Sequence, residues 1–252
     1  MYHNHHSHSY YSLLDGFSSP EELLKRAEEV GMTALSLTDH GTLSGHRDFL
    51  IAAKDTKVKP ILGLEAYFTT DRLDKRSKKE RGEDEQVYNH LIVLAKNENG
   101  VQNLSKLSEI AWNEGFFNKP RIDFEILESY SSDLIIASGC MNGIIAKAIQ
   151  NDNMDLARKH TDWFKQVFKD DFYMELQPHN PYELNAQMLK LADEMGIKST
   201  VTLDCHYASP EDRIAEEIML ILGTHPNIRK EAKFDDSRKI KDLIERLDYL
   251  YG

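Results

Sequence analysis

Apolar and polar positions along the chain switch repeatedly between a period of 3.6 and a period of two. Residues 18–32, SSPEELLKRAEEVGM, place Leu23, Leu24 and Ala27 on one face, Ser19 at an N-cap, Pro20 in the first turn and Gly31 just past the end. That arrangement predicts a helix. TALSLTDHG follows as a short alternating strand whose C-terminal end carries Asp39 and His40. A helix over 45–55 comes next, then a strand, KPILGLEAYF, bearing Glu65. The mixed-charge stretch 70–86, TDRLDKRSKKERGEDEQ, offers nothing to bury and is expected to be a mobile loop. The pattern resumes with VYNHLIVLA, a strand with His90 at its start, and a helix near 99–113. SSDLIIASGC is a strand ending at Cys140, 152–169 a helix, DFYMELQ a strand and 181–195 a helix. KSTVTLDCHY is a strand ending at Asp204 and His206, and a last helix covers 210–222. Strands alternating with helices imply a mainly parallel sheet wrapped by helices. Six or seven such units favour an α/β barrel, closed or nearly so, over an open sheet.

Polar residues interrupt the apolar strands at their ends: His6, His8, His40, Glu65, His90, Cys140, Asp204 and His206. Catalytic residues of a β/α barrel gather from the ends of several strands on one face. His6 with His8, and Asp204 with His206, are two apart, so each pair projects from one side of an extended segment. Imidazoles, carboxylates and one thiolate together suit zinc or a similar borderline metal, whereas magnesium prefers oxygen alone. Taken singly, His6 or His90 is an ordinary structural histidine, Cys140 a small buried hydrophobe and Glu65 an edge charge. Their joint placement is what points to a metal site.

Composition narrows the setting. A chain of 252 residues fits one large domain. No run of eighteen apolar residues exists, which excludes a membrane helix. The N-terminus lacks the basic start and apolar stretch of a signal peptide, so a cytoplasmic location is expected. Two cysteines do not make a disulfide framework. A net charge of −11 argues against broad, sequence-blind binding of nucleic acid, although bound metal ions would create a local positive pocket. The basic clusters at 75–79 and 229–233 are expected to be solvated surface rather than guides for DNA.

HSHSYYSLLDG, SLTDHGTLSG, KPILGLEAY, NHLIVLAKNENG, SGCMNG and TLDCHY, in this order, resemble the PHP (polymerase and histidinol phosphatase) domain, closest to that of the bacterial DNA polymerase III α subunit. The resemblance covers roughly residues 4–222 and includes RID at 121–123 and ELQPH at 175–179. It implies a distorted (β/α)7-type barrel of the PHP superfamily over residues 1–222, with 223–252 a charged C-terminal extension. It also implies a centre of up to three divalent ions (zinc, manganese or iron) with nine ligands. These fall on His6, His8, Asp15, His40, Glu65, His90, Cys140, Asp204 and His206. Asp39 is expected to orient a histidine from behind, and Arg121 and His179 to lie behind the ligands or touch substrate.

The implied activity is hydrolysis of phosphodiesters by a hydroxide bridging two metals, as a proofreading-like 3′→5′ exonuclease acting on a DNA 3′ end. A phosphomonoesterase acting on histidinol phosphate or a nucleotide is the first alternative. The second is a non-catalytic module that docks a polymerase or replisome partner. Nine intact ligand positions count against that last reading, since a structural zinc site needs four and is closed. No polymerase palm follows in the sequence, so DNA synthesis is not expected of this chain.

Overall fold

A computed structural model describes residues 2–81 and 86–224. Seven strands form one sheet: β1 (Ala34–Leu37), β2 (Lys59–Phe68), β3 (Asn89–Ala95), β4 (Arg121–Ile122), β5 (Leu134–Ala137), β6 (Phe172–Leu176) and β7 (Lys198–Val201). Among the described residues eight α-helices accompany them: α1 (Pro20–Glu29), α2 (His46–Ala52), α3 (Glu98–Asn113), α4 (Phe124–Ser129), α5 (Ile144–Gln150), α6 (Met154–Phe168), α7 (Tyr182–Met195) and α8 (Arg213–Thr224). The spatial order is β1-β2-β3-β5-β6-β7, with β4 paired to β2. Pairing is parallel except along both sides of β3, which runs against β2 and β5.

The histidine-rich N-terminal segment joins the two edges of the sheet. On one side Ser36 N donates to Asn4 O (3.1 Å) and Thr38 N to Ser7 O (2.9 Å). On the other, His8 N donates to Cys205 O (2.8 Å) and Cys205 N to His6 O (3.2 Å). The sheet therefore curls into a distorted barrel, with His6 and His8 built into its seam. This covers the edge of β1 and ties the chain just beyond β7 to it.

The period of two decides what each strand offers to either face. Leu64, Ala66 and Phe68 of β2 and Leu91 and Val93 of β3 enter the large outer core beneath α3 to α7. Glu65 and Tyr67 alternate with the first set and face the barrel interior with their register partners Ile92 and His90. A smaller outer core joins α1 and α2 to β1 through Leu24, Leu37 and Phe49. At the start of α1 the expected cap is present: Ser19 accepts from Glu22 N while Glu22 accepts from Ser19 N.

The direction of β3 explains how His90 joins the site. A residue at the start of a parallel strand would sit at the wrong end of the barrel. Because β3 is reversed, its first residues share a rim with the C-terminal ends of its neighbours. Among the described residues the link from β2 to β3 contains no α-helix, and an antiparallel neighbour needs no crossover.

The stretch 70–86 differs from expectation where it is described; residues 82–85 lie outside the described set. Arg72 and Arg81 are buried. Arg72 pairs with Asp123 (3.0 Å) and Glu125 (2.8 Å), and Lys75 Nζ donates to Glu114 O (2.7 Å) and Phe116 O (2.9 Å). Guanidinium groups tolerate burial when their donors are met, so charge alone does not make this segment a free loop. β4, α4 and α5 were not expected from the apolar pattern. Among the described residues no helix is long and apolar enough to cross a membrane. The expected extension 223–252, apart from the end of α8, lies outside the described residues, as does the basic cluster at 229–233.

Candidate metal centre

All nine residues expected as ligands converge at one rim of the barrel. Glu65 is at the middle. Its Oε1 lies 3.3 Å from His6 Nε2 and 3.0 Å from His90 Nδ1, and its Oε2 lies 3.2 Å from His8 Nε2 and 2.7 Å from His40 Nδ1. Asp204 Oδ1 sits between His6 Nε2 (3.1 Å) and His8 Nε2 (3.2 Å). Asp15 Oδ2 sits between His40 Nε2 (2.7 Å) and His206 Nε2 (3.3 Å). Cys140 Sγ lies 3.5 Å from His90 Nδ1.

Several of these atoms are buried without any hydrogen-bond partner: His6 Nε2, His8 Nε2, His40 Nδ1, both oxygens of Glu65 and Asp204 Oδ1. Unmet polar atoms in a protein interior are rare and costly. Here they face one another, which is the arrangement a cation would satisfy. Three trios have donor atoms mutually close enough to share an ion: His6, His8 and Asp204; His40, Glu65 and His90; and His8, His40 and His206. The donor set and the buried, unmet lone pairs fit divalent metal.

Hydrogen bonds behind the expected ligands set their tautomers. The hydroxyl of Ser12 donates to Asp39 (2.9 Å), so toward His8 Nδ1 (3.0 Å) it acts as acceptor. His8 then carries its proton on Nδ1 and presents a bare Nε2. Asp39 also accepts from Ser9 N (2.7 Å) and Ser9 Oγ (2.9 Å). Its influence on His8 thus passes through Ser12 rather than by direct contact. His6 Nδ1 donates to Glu175 Oε1 (2.7 Å), and His206 Nδ1 to the carbonyl of Asp204 (2.9 Å). In each case the far nitrogen is left free for the centre.

Glu175 is the functional residue that the sequence reading missed. It is fully buried and also accepts from Gly139 N (3.2 Å), Gln177 Nε2 (3.0 Å) and Thr202 Oγ1. A signal was present: a carboxylate at the inner end of the apolar strand FYMEL has no reason to be there without a partner.

The charges are mutually supporting. Burial opposes ionisation of Glu65, yet His40, His90 and His6 hold its carboxyl well below the usual range. Burial likewise opposes the charges of Asp15 and Asp204, and the adjacent histidines override it in both. Burial alone would lower His40, but Glu65 and Asp15 push it up to about 10. Burial, with Glu65 and Asp204 nearby, pushes the Cys140 thiol up. The backbone contributes strain. Asp204 has φ of 50°, and Gly139 has φ of 80° where an added Cβ would lie 2.7 Å from His90 O. Gly139 lets the chain carrying Cys140 come against β3, and left-handed backbone at Asp204 is a conformation that clusters at functional sites.

Arg121 and His179 do not join the centre. Arg121 is fully buried, and its guanidinium donates to the carbonyls of Gly115 (3.0 Å), Val87 (3.3 Å), Arg72 (2.9 Å) and Asp74 (2.9 Å). Those contacts brace the segment after β2 and the turn after α3, which corrects the expectation of a role against ligands or substrate. His179 is exposed beyond β6, and among the described residues no hydrogen bond or ion pair ties it to the nine.

Residues 4–179 match the family model of the PHP domain. Over 230 residues, 89% of this chain and 20% of the relative, the sequence is 40% identical to the DNA polymerase III subunit alpha of Aquifex aeolicus (strain VF5). Over 239 residues, 94% of this chain and 20% of the relative, it is 40% identical to the same subunit of Borreliella burgdorferi. The chain thus spans about 20% of the length of these curated relatives. Among solved structures, a protein described as a metal-dependent phosphoesterase, from Bifidobacterium adolescentis, superposes with a TM-score of 0.52 at 14% identity, covering 82% of this chain and 89% of that one, a likeness of fold. The match to the family model over more than half of the chain carries one conclusion: the chain belongs to the PHP domain family.

Proposed function

We propose that this chain is a metal-dependent phosphoesterase that hydrolyses DNA phosphodiesters from a 3′ end, with up to three divalent ions (zinc, manganese or iron) held by the nine residues around Glu65. The observation that carries the proposal is the set of buried, unpartnered nitrogen and oxygen atoms converging on that carboxylate. The preference for DNA draws on the relatives, which are named DNA polymerase III subunit alpha. A polymerase or replisome partner belongs to the same proposal.

Bound ions would supply Lewis acidity toward a phosphoryl oxygen and acidify coordinated water at neutral pH. The chain supplies geometry and access. His6, His8 and Glu65 form the closed floor, with side chains at most 1% exposed. Asp15 at 25%, His206 at 20% and His90 at 17% form the open side, where a phosphate can enter. Glu175 and Ser12 hold His6 and His8 with their free nitrogens inward, so the floor is ordered before substrate arrives. In this reading no serine, threonine or cysteine has to act as nucleophile.

The test is hydrolysis of single-stranded DNA labelled at either end, with each metal added back to stripped protein and a phosphomonoester as control. Stepwise shortening from the 3′ end supports the proposal. Activity confined to the phosphomonoester would replace it with the small-substrate reading.

A further inference from the structure

Beside the metal centre lies a cleft of about 690 Å³ whose lining includes Asp15, His40, Tyr67, Trp112, Phe116 and Lys119. Trp112 is 52% exposed and Phe116 47%. The two rings stack on each other, with centroids 5.4 Å apart and planes 17° from parallel. They are not loose surface groups. The indole of Trp112 donates to the carbonyl of Gly41 (3.1 Å), the residue after His40. The turn bearing Phe116 is clamped by Arg121, whose Nε donates to Gly115 O. A Cβ at Gly115 would lie 1.9 Å from Arg121 O, so the turn closes too tightly for any larger residue.

The path from these rings to the metal ligands is aromatic with one cation. Lys119 Nζ lies over the ring of Tyr67 at 5.0 Å, and Tyr67 lies flat on His40 at 5.8 Å between centroids and 15° between planes. Lys119 is exposed, and among the described residues no ion pair neutralises it. A rigid, exposed π face, then a cation, then a metal centre is the order of groups that meets a base, its adjoining phosphate and the scissile phosphate. A small polar phosphomonoester would leave the outer rings without an occupant.

Resting on the proposed hydrolysis of DNA, we propose that Trp112 and Phe116 form a platform on which a base of a single-stranded DNA terminus stacks while Lys119 pairs with a neighbouring phosphate. Base–aromatic stacking tolerates any sequence, because every base has a π face. It also favours unpaired ends over duplex, whose bases are already stacked. The protein is strongly acidic overall, so recognition by stacking supplies affinity that its general electrostatics cannot.

The test uses metal-loaded protein and two fluorescently labelled oligonucleotides of equal length, one with bases and one abasic over its last three nucleotides. Phe116→Leu keeps apolar bulk and removes the π face; Trp112→Leu does the same but also loses the bond to Gly41, so metal content is measured for both. Binding is read by anisotropy with non-hydrolysable phosphorothioate backbones, and cleavage is read separately on ordinary DNA. The expected result is that the wild type prefers the base-bearing strand and that Phe116→Leu lowers this preference roughly tenfold. Lys119→Gln should weaken both strands equally and flatten the salt dependence by about one ion. Cleavage with no preference for bases, or a preference unchanged in both leucine variants, overturns the platform while leaving phosphodiester hydrolysis standing. Absence of any cleavage or binding of DNA overturns both.

Discussion

At the scale of single residues, the centre depends on which nitrogen of each histidine is free. Glu175 settles this for His6 through a buried 2.7 Å contact. It is a positioning residue, and Glu175→Gln should weaken metal binding about 10- to 100-fold while leaving all nine expected ligands in place. Metal titration of stripped protein measures this; unchanged affinity would mean that His6 needs no such support. The expected ligands should behave differently. His8→Ala, Asp15→Ala or Asp204→Ala should abolish hydrolysis with the fold intact, by circular dichroism, whereas His160→Ala should leave turnover near that of the wild type. His160 is packed against Phe124, beside the outer core and not among the nine expected ligands. Eight of the nine expected ligands stood out in the sequence as polar residues at strand ends, and Asp15 came only from the family resemblance. Arg121 was singled out through the resemblance of RID at 121–123, and its long side chain instead reaches the carbonyls of the segment after β2. Sequence spacing gives the side of a strand and not the reach of an arginine.

Elements place these residues, and here sequence was informative about strands and less so about their directions. The apolar runs around β2, β3 and β6 were legible from their periodicity. β4, of two residues, and the short helices α4 and α5 were not, because their packing rather than their own pattern maintains them. The reversed direction of β3 could not be read either, although His90 at the start of an apolar strand was its trace. Close approach of the segment after β5 to β3 depends on Gly139. Gly139→Ala adds a Cβ against the His90 carbonyl in left-handed backbone, and should destabilise the protein by about 1–3 kcal/mol. It should also lower metal occupancy by displacing Cys140. Denaturant midpoints and metal content of the purified variant check both effects, and a fully stable, fully loaded variant would contradict this role.

For the whole molecule, the barrel is closed by the same N-terminal segment that supplies His6 and His8, so fold and site are coupled. Divalent metal should therefore raise the melting temperature with the logarithm of its free concentration once that exceeds the dissociation constant, as any ligand of the native state does. Acid sensitivity has a separate source in the helical layer. Burial, with Lys159 beside it, lowers His160 to about 4. In the unfolded chain its pKa is about 6.5. Its contribution to stability is thus complete above that value and is lost as pH falls toward and through about 4. Between pH 7 and 5 the unfolded state alone takes up this proton, a loss of about 2 kcal/mol. In chelator, the stability difference between His160→Phe and the wild type should shift by about that amount over this interval in favour of the variant. A difference independent of pH would show that His160 does not titrate in this way.

The central claim is that the atoms around Glu65 hold metal, and elemental analysis of the protein under matched conditions tests it most directly. The wild type and His160→Ala should retain zinc, manganese or iron, up to three ions per chain, through dialysis without chelator. Glu65→Gln, which blunts the carboxylate reached by four histidines, should lose most of that metal while remaining folded. No bound transition metal in the wild type after loading, or equal content in Glu65→Gln, would contradict the account.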